Sequence, residues 1–175
     1  MRQGFEVLAS AGYGASTADV FGVEMAPYGA SFGLDLGYGL RSGFRVGASA
    51  VYGLGRKLEQ RRASRSGDDI DLEVDASSLS VGVSLGYDVP LYFLALRSSL
   101  VLGGTFMRWS LGAPPDSVFA DASTSPSAGF FCAPGLALIW PRRVFEWGVG
   151  FDYYVQANAA IPPGLSGKLI MGAKF

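Results

Sequence analysis

The sequence predicts an all-β fold: an eight-stranded antiparallel up-and-down transmembrane β-barrel, residues 1–175 forming a single domain. Three observations predict it. Large apolar residues alternate with small or polar ones along eight segments, the two-residue period of a strand. The connections between segments are alternately tight and long, as in a barrel whose turns gather at one end and loops at the other. Aromatic residues recur at both ends of the apolar face, about 25 Å apart at strand rise and barrel tilt.

The first strand, about Phe5–Tyr13, carries Phe5, Val7, Ala9, Ala11 and Tyr13 on one face. The second, about Tyr28–Tyr38, shows Tyr28, Ala30, Phe32, Leu34, Leu36 and Tyr38. The third reads GFRVGASAVYGL from Gly43, with Phe44, Val46, Ala48, Ala50, Tyr52 and Leu54 on one face and mostly glycine and serine on the other. The fourth carries Leu79, Val81, Val83, Leu85 and Tyr87; the fifth Tyr92, Leu94, Leu96, Leu100, Leu102 and Phe106. The sixth has Phe130, Cys132, Pro134, Leu136, Leu138 and Trp140. The seventh has Phe145, Trp147, Val149, Phe151, Tyr153 and Val155, and the last Leu165, Leu169, Met171, Ala173 and Phe175. Strands of roughly nine to thirteen residues are expected, longer than the usual five or six of globular proteins. Tight turns are expected at Gly39–Gly43, Asp88–Leu91 and Pro141–Arg143, and long connections at about 15–25, 56–76, 109–127 and 156–164.

The aromatics decide which face meets which solvent. Phe5, Tyr38, Phe44, Tyr87, Tyr92, Trp140, Phe145 and Phe175 form a belt at the short-turn end. Tyr13, Tyr28, Tyr52, Phe106, Phe130 and Tyr153 form a second at the loop end. Two aromatic belts flanking an apolar band match the two interfaces of a bilayer. The apolar face therefore meets lipid, and the glycine–serine face lines a narrow lumen that side chains fill. A soluble sandwich or lipocalin-like barrel with its apolar face inward is the competing reading. It would leave glycine-rich outer faces and waste both belts.

Composition agrees. Hydrophobic residues make up 49% and charged residues 17% of the chain, below the soluble average of about 25% charged. The net charge of −1 argues against nucleic acid, which calls for a basic face. Cys132 is alone, so no intrachain disulfide forms, and there is no histidine. The longest uncharged stretch, about 122–141, contains Pro126 and Pro134 and would make a poor membrane helix. Met1-Arg2-Gln3 does not open onto a signal-peptide apolar core, as expected of a mature or trimmed chain.

With these strands, the chain resembles the small eight-stranded outer-membrane proteins of Gram-negative bacteria, the OmpA transmembrane domain and OmpX type. The resemblance covers the whole chain and rests on architecture. Its C-terminal stretch GKLIMGAKF, Gly167–Phe175, looks like the signal read by barrel-assembly machinery, although Ala173 is small for its place. The resemblance implies residence in the outer membrane, with both termini periplasmic and four loops extracellular. Outer-membrane lipid and lipopolysaccharide are the surroundings it implies. The peptidoglycan-binding domain of full-length OmpA members has no counterpart after Phe175, so no tethering role is implied.

The inward parity holds eight ionisable residues: Glu6, Asp35, Arg45, Arg97, Glu146, Asp152, Lys168 and Lys174, four acids against four bases. Glu6, Asp35, Arg45, Glu146 and Lys174 are expected low in the barrel, and Arg97, Asp152 and Lys168 nearer the middle. Glu6 with Lys174, and Asp152 with Lys168, sit on strands that pair. Leaving one ion of such a pair alone in a poorly hydrated interior costs several kcal/mol, so pairing is expected. The network then plugs the barrel. The sharper alternative is a narrow, low-conductance ion pore gated by exchange of ion-pair partners, as the resemblance implies, with Arg97 as the gating residue. Phe93, Phe131 and Tyr154 share the inward parity and would narrow any channel.

A lipid-modifying enzyme is the third reading. The outer-membrane lipid A acyl-chain enzymes, phospholipase and omptin proteases use histidine, which this chain lacks, so Ser–His activation is absent. No catalytic residue, metal site or cofactor is expected, since carboxylates beside bases stay ionised and no ligand cluster appears.

The second loop, GRKLEQRRASRSGDDIDLEVDA, has a basic arm (Arg56, Lys57, Arg61, Arg62, Arg65) and an acidic arm (Asp68, Asp69, Asp71, Glu73, Asp75). Folded at about Ser64–Gly67, it is a hairpin whose charges offset each other, each opposed pair contributing about 0.2–1 kcal/mol. The alternatives are lipopolysaccharide phosphates at the arginines, calcium at the carboxylates, or a protein partner at the loops, including strand addition to a protruding edge. The third loop, with Pro114, Pro115 and Pro126, is expected to be a mobile contact surface. The expected function is non-catalytic: a structural or surface-interaction role carried by the loops.

Overall fold

The computed structural model describes residues 3–15, 18–20, 23–25, 29–62, 69–112, 126–158 and 163–175. Ten strands form: β1 (Gly4–Ala15), β2 (Ala18–Val20), β3 (Val23–Met25), β4 (Ala30–Gly39), β5 (Phe44–Arg62), β6 (Asp69–Leu91), β7 (Leu94–Gly112), β8 (Ser127–Pro141), β9 (Phe145–Gln156) and β10 (Gly164–Lys174). Eight of them close a barrel in the order β1-β10-β9-β8-β7-β6-β5-β4, and every neighbouring pair is antiparallel. Closure brings Glu6 opposite Lys174 where β1 meets β10. The remaining two strands form a small hairpin, Ala18↔Met25, inside the first long connection, which the sequence alone presents as a loop.

Alternation dictates the faces. Outward residues such as Leu34, Val46, Val83, Val149 and Leu169 are exposed, while Glu6, Ser49, Thr105, Asp152 and Ser166 on the other parity are buried. This inverts the soluble pattern: a continuous apolar outer surface of this extent requires an apolar solvent. A closed barrel leaves no sheet edge unpaired within that solvent.

The aromatic belts occupy the expected ends. Phe5 and Tyr38 meet edge to face with ring centroids 5.1 Å apart, and Trp140 stacks on Trp147 at 4.3 Å. Gln3 Nε2 donates to the Tyr38 hydroxyl at 2.7 Å. Tyr13, Tyr52, Phe106, Phe130 and Tyr153 are exposed at the loop end; Tyr28 lies outside the described residues.

The structure moves one turn. The sequence places a turn at Asp88–Leu91, where Pro90 reads as a breaker; instead β6 continues to Leu91, and Tyr92–Phe93 make a two-residue turn before Leu94. Tyr92 therefore sits beyond the strand at φ 48°, fully exposed, rather than on the fifth strand's apolar face. Phe93 is exposed as well, and does not point into the lumen. Proline survives at position 90 because it lies at the strand's end, where a missing N–H matters least.

Strand length also differs from expectation. β5, β6 and β7 span 19, 23 and 19 residues, because the second loop continues the ladder rather than leaving it. Arg56 lies opposite Asp75 and Arg62 opposite Asp69, the register expected of a hairpin folded near Ser64–Gly67. Lys57 lies opposite Val74, Leu58 opposite Glu73, Gln60 opposite Asp71 and Arg61 opposite Ile70. Arg65 and Asp68 fall outside the described residues. The β4–β5 and β7–β8 ladders stop at Leu54 and Met107, so β5, β6 and β7 run on as a three-stranded sheet beyond the barrel rim.

Candidate functional site

The lumen is where this fold gathers charge away from bulk water. Its turn end is a connected ion cluster. Arg97 Nε and Nη2 donate to Asp88 Oδ1 and Oδ2 at 2.8 and 3.0 Å, and Arg97 Nη1 donates to Glu146 Oε1 at 2.9 Å. Arg45 pairs with Glu6, lies 3.4 Å from Asp88 Oδ2 and reaches Glu146 at 3.9 Å. Lys174 Nζ is 2.5 Å from Glu6 Oε1, across the closing strand pair. Three cations and three carboxylates thus span β1, β5, β6, β7, β9 and β10, with Glu6 only 2% and Arg97 6% exposed. A buried guanidinium that forks onto one carboxylate and touches a second satisfies most of its donors, which is what permits its burial.

Two sequence expectations change here. Asp88 is a ninth lumen charge, which the sequence reading misses by placing it in the turn; the continuing alternation Leu85, Tyr87, Val89, Leu91 is the signal that reveals its inward parity. The described lumen charges therefore do not sum to zero: Arg45, Arg97, Lys168 and Lys174 face Glu6, Asp35, Asp88, Glu146 and Asp152, leaving one negative charge over. Arg97 is also not at mid-height among Asp152 and Lys168. With β7 starting at Leu94, Arg97 lies opposite Asp88 near the turn end and joins the lower cluster.

Beside that cluster, Leu8, Ala95, Ala137, Ile139 and Ile170 form a buried apolar group, in which Ala95 lies on the turn side of Arg97 along β7. Next to it a cavity of about 80 Å³ is lined by the charged residues Asp35, Arg45, Arg97, Asp152 and Lys168 and by serines that include Ser10, Ser49 and Ser99. Lys168 Nζ is 2.5 Å from Asp152 Oδ2, the pair expected from neighbouring strands. Asp35 lines the same cavity as Asp152 and lies close enough for the two charges to oppose each other. Towards the loops the lumen closes again on Phe131, Ala133 and Tyr154, with Val101 against them, and Ser80 and Thr105 share a hydrogen bond of 2.8 Å. Phe131 and Tyr154 thus narrow the lumen as their parity predicts, with ring centroids 5.9 Å apart.

The lumen offers no imidazole and no thiol: histidine is absent from the chain, and Cys132 belongs to the outward parity of β8. Among the described residues no group of three or more His, Cys, Asp or Glu is placed to hold a metal.

Comparison with solved structures decides the architecture. A major outer membrane protein from Thermus thermophilus superposes at a TM-score of 0.65 with 12% identity, covering 100% of both chains. The N-terminal β-barrel domain of Pseudomonas aeruginosa OprF matches at 0.53 with 12% identity over 99% of this chain and 100% of that one. The chain has the fold of the small eight-stranded outer-membrane β-barrels. Neisserial surface protein A matches this barrel too, at 0.52 and 14% identity over 97% of this chain and 95% of that one. No protein-family model and no curated protein matches the barrel's sequence. Identities this low carry the fold and nothing finer. A barrel needs only alternation, belts and turns, and many sequences satisfy them.

Proposed function

We propose that the chain is a non-catalytic integral protein of the bacterial outer membrane, with a side-chain-plugged lumen and a structural or surface-interaction role carried by its extracellular loops. The observation that carries this reading is the lumen itself, which is occupied by an ion cluster, a buried apolar group beside it and a Phe131–Tyr154 group towards the loops. An eight-stranded barrel has just room for such packing. Both termini lie at the short-turn end, which supports periplasmic termini and extracellular loops in the arrangement usual for this fold. The β5–β6–β7 extension supports a surface role, since its outer strands carry backbone groups beyond the barrel's own ladders and offer an edge to a protein partner. Lipopolysaccharide beside the loop arginines, and barrel-assembly machinery at the Phe175 end, are the other contacts in this proposal.

A second reading has one observation in its favour. Arg45 and Arg97 share Asp88 and Glu146, so each guanidinium has a carboxylate to move to when the other shifts. Exchange of partners would then open a narrow, low-conductance path. Solute release from proteoliposomes separates the two readings. A plugged barrel leaves the loaded vesicles as tight as empty ones, whereas a gated pore leaks small ions and leaks faster with Arg97→Ala. Steady leakage by the folded wild type sinks the plugged reading.

A further inference from the structure

The lumen's middle group is one positive charge short. Every cation of the lower cluster is engaged there: Arg45 by Glu6 and Asp88, Arg97 by Asp88 and Glu146, Lys174 by Glu6. Arg45 and Arg97 also line the cavity, but their ion pairs among the described residues go to Glu6, Asp88 and Glu146, which leaves Lys168 as the cation paired with a carboxylate of the middle group. Its ammonium sits on Asp152 Oδ2. Asp152 Oδ1 is buried without a hydrogen-bond partner, in a residue only 5% exposed. This oxygen lies over Gly135 beside the Ser99 hydroxyl, in space that any side chain at position 135 would take. Asp35 lines the same cavity, makes no ion pair among the described residues, and is near enough for its charge to oppose that of Asp152.

A surplus negative charge inside a barrel surrounded by hydrocarbon is costly, because an unpaired buried ion forfeits its hydration without compensation. We propose that the cavity between Asp35 and Asp152 binds a small monovalent cation, coordinated by oxygens of the two carboxylates, neighbouring serine hydroxyls and water. One positive charge brings the nine described lumen charges to zero. A divalent ion would overshoot, and with Lys168 holding one carboxylate oxygen the donor set is thin for one. The cavity of about 80 Å³ has room for an ion and several waters, each water needing roughly 10–15 Å³. Ser10, Ser49, Ser99 and Ser166 line it and supply neutral oxygens without adding charge. The site does not depend on whether the barrel conducts, since both a plug and a gated path leave this charge to be neutralised.

The direct test uses thallium(I) acetate on crystals of the refolded barrel, because thallium(I) is a monovalent cation with a strong anomalous signal. One anomalous peak bounded by Asp35 and Asp152 is expected in the wild type, and its loss in Asp35→Asn. No peak in the wild type overturns the proposal, and so does a peak that persists unchanged in Asp35→Asn. A second measurement covers poor folding of that variant, with Asp35→Ser as its alternative. The thermal midpoint is compared in sodium chloride and in choline chloride at equal ionic strength. Sodium is expected to raise the wild-type midpoint by about 2–4 °C at several times its dissociation constant, and to leave the Asp35 variants unmoved. Equal midpoints in the two salts overturn the cation. A midpoint that follows pH but ignores sodium also overturns it, because a shared proton then neutralises the pair.

Discussion

Replacing Arg97 by methionine keeps much of the side chain's bulk and removes the charge that holds the lower cluster together. In the wild type that guanidinium makes three hydrogen bonds of 2.8–3.0 Å to Asp88 and Glu146 while only 6% exposed. Breaking a buried pair by removing one partner costs about 3–5 kcal/mol, since the other ion stays behind. Arg45, 3.4 Å from Asp88 and 3.9 Å from Glu146, remains to soften the loss, so the lower end, about 3 kcal/mol, is expected. Adding Asp88→Asn removes one orphaned charge. R97M/D88N should then lie about 1–3 kcal/mol closer to wild type than the two single losses summed. The assay is a urea titration of the barrel refolded into phospholipid vesicles, read by tryptophan fluorescence. A loss in Arg97→Met below about 1 kcal/mol, or single losses that simply add, would refute a cooperative buried cluster.

Three further perturbations probe the walls rather than the lumen. Val83→Arg places a charge on the outward face of β6 at mid-strand, where Val83 is 55% exposed, and should cost about 2–4 kcal/mol in the same titration. A loss near zero would mean this face does not meet hydrocarbon. Tyr92 holds a left-handed backbone at φ 48°, so Tyr92→Gly should be more stable than Tyr92→Ala by about 1 kcal/mol, both having lost the ring. Equal stabilities would remove the strain from the turn. The β8–β9 register lapses at Ala133 and Pro134, where Pro134 has no N–H to give, and resumes at Gly135. Pro134→Val should add about 0.5–1.5 kcal/mol and slow hydrogen exchange in β9; unchanged exchange would contradict a restored bond.

The eight barrel strands are legible because each carries the same two-residue period with aromatic residues at its ends, a signal repeated until chance is implausible. Less legible are features set by pairing across the barrel. Asp88 looks like a turn residue because Asp-Val-Pro reads locally as a breaker, whereas the ladder with β7 carries the strand three residues further. That shift of one turn moves Arg97 from mid-lumen to the lower cluster, puts Tyr92 and Phe93 at the tip, and changes the lumen's charge from balanced to one negative. The pairs Glu6–Lys174 and Asp152–Lys168 are readable, because adjacent strands and matching height determine them. Arg45 touching Glu6, Asp88 and Glu146 is not, because a long side chain crosses the lumen between strands that are not all neighbours. The ladder beyond the rim is hidden by the charged composition of the second loop, which suggests solvent rather than strand pairing.

The central claim is that packed side chains close the lumen. Ion conductance of the refolded barrel across a planar bilayer tests it most directly. The account predicts silence from protein shown to be folded and inserted. Discrete openings of reproducible size in the wild type would contradict it.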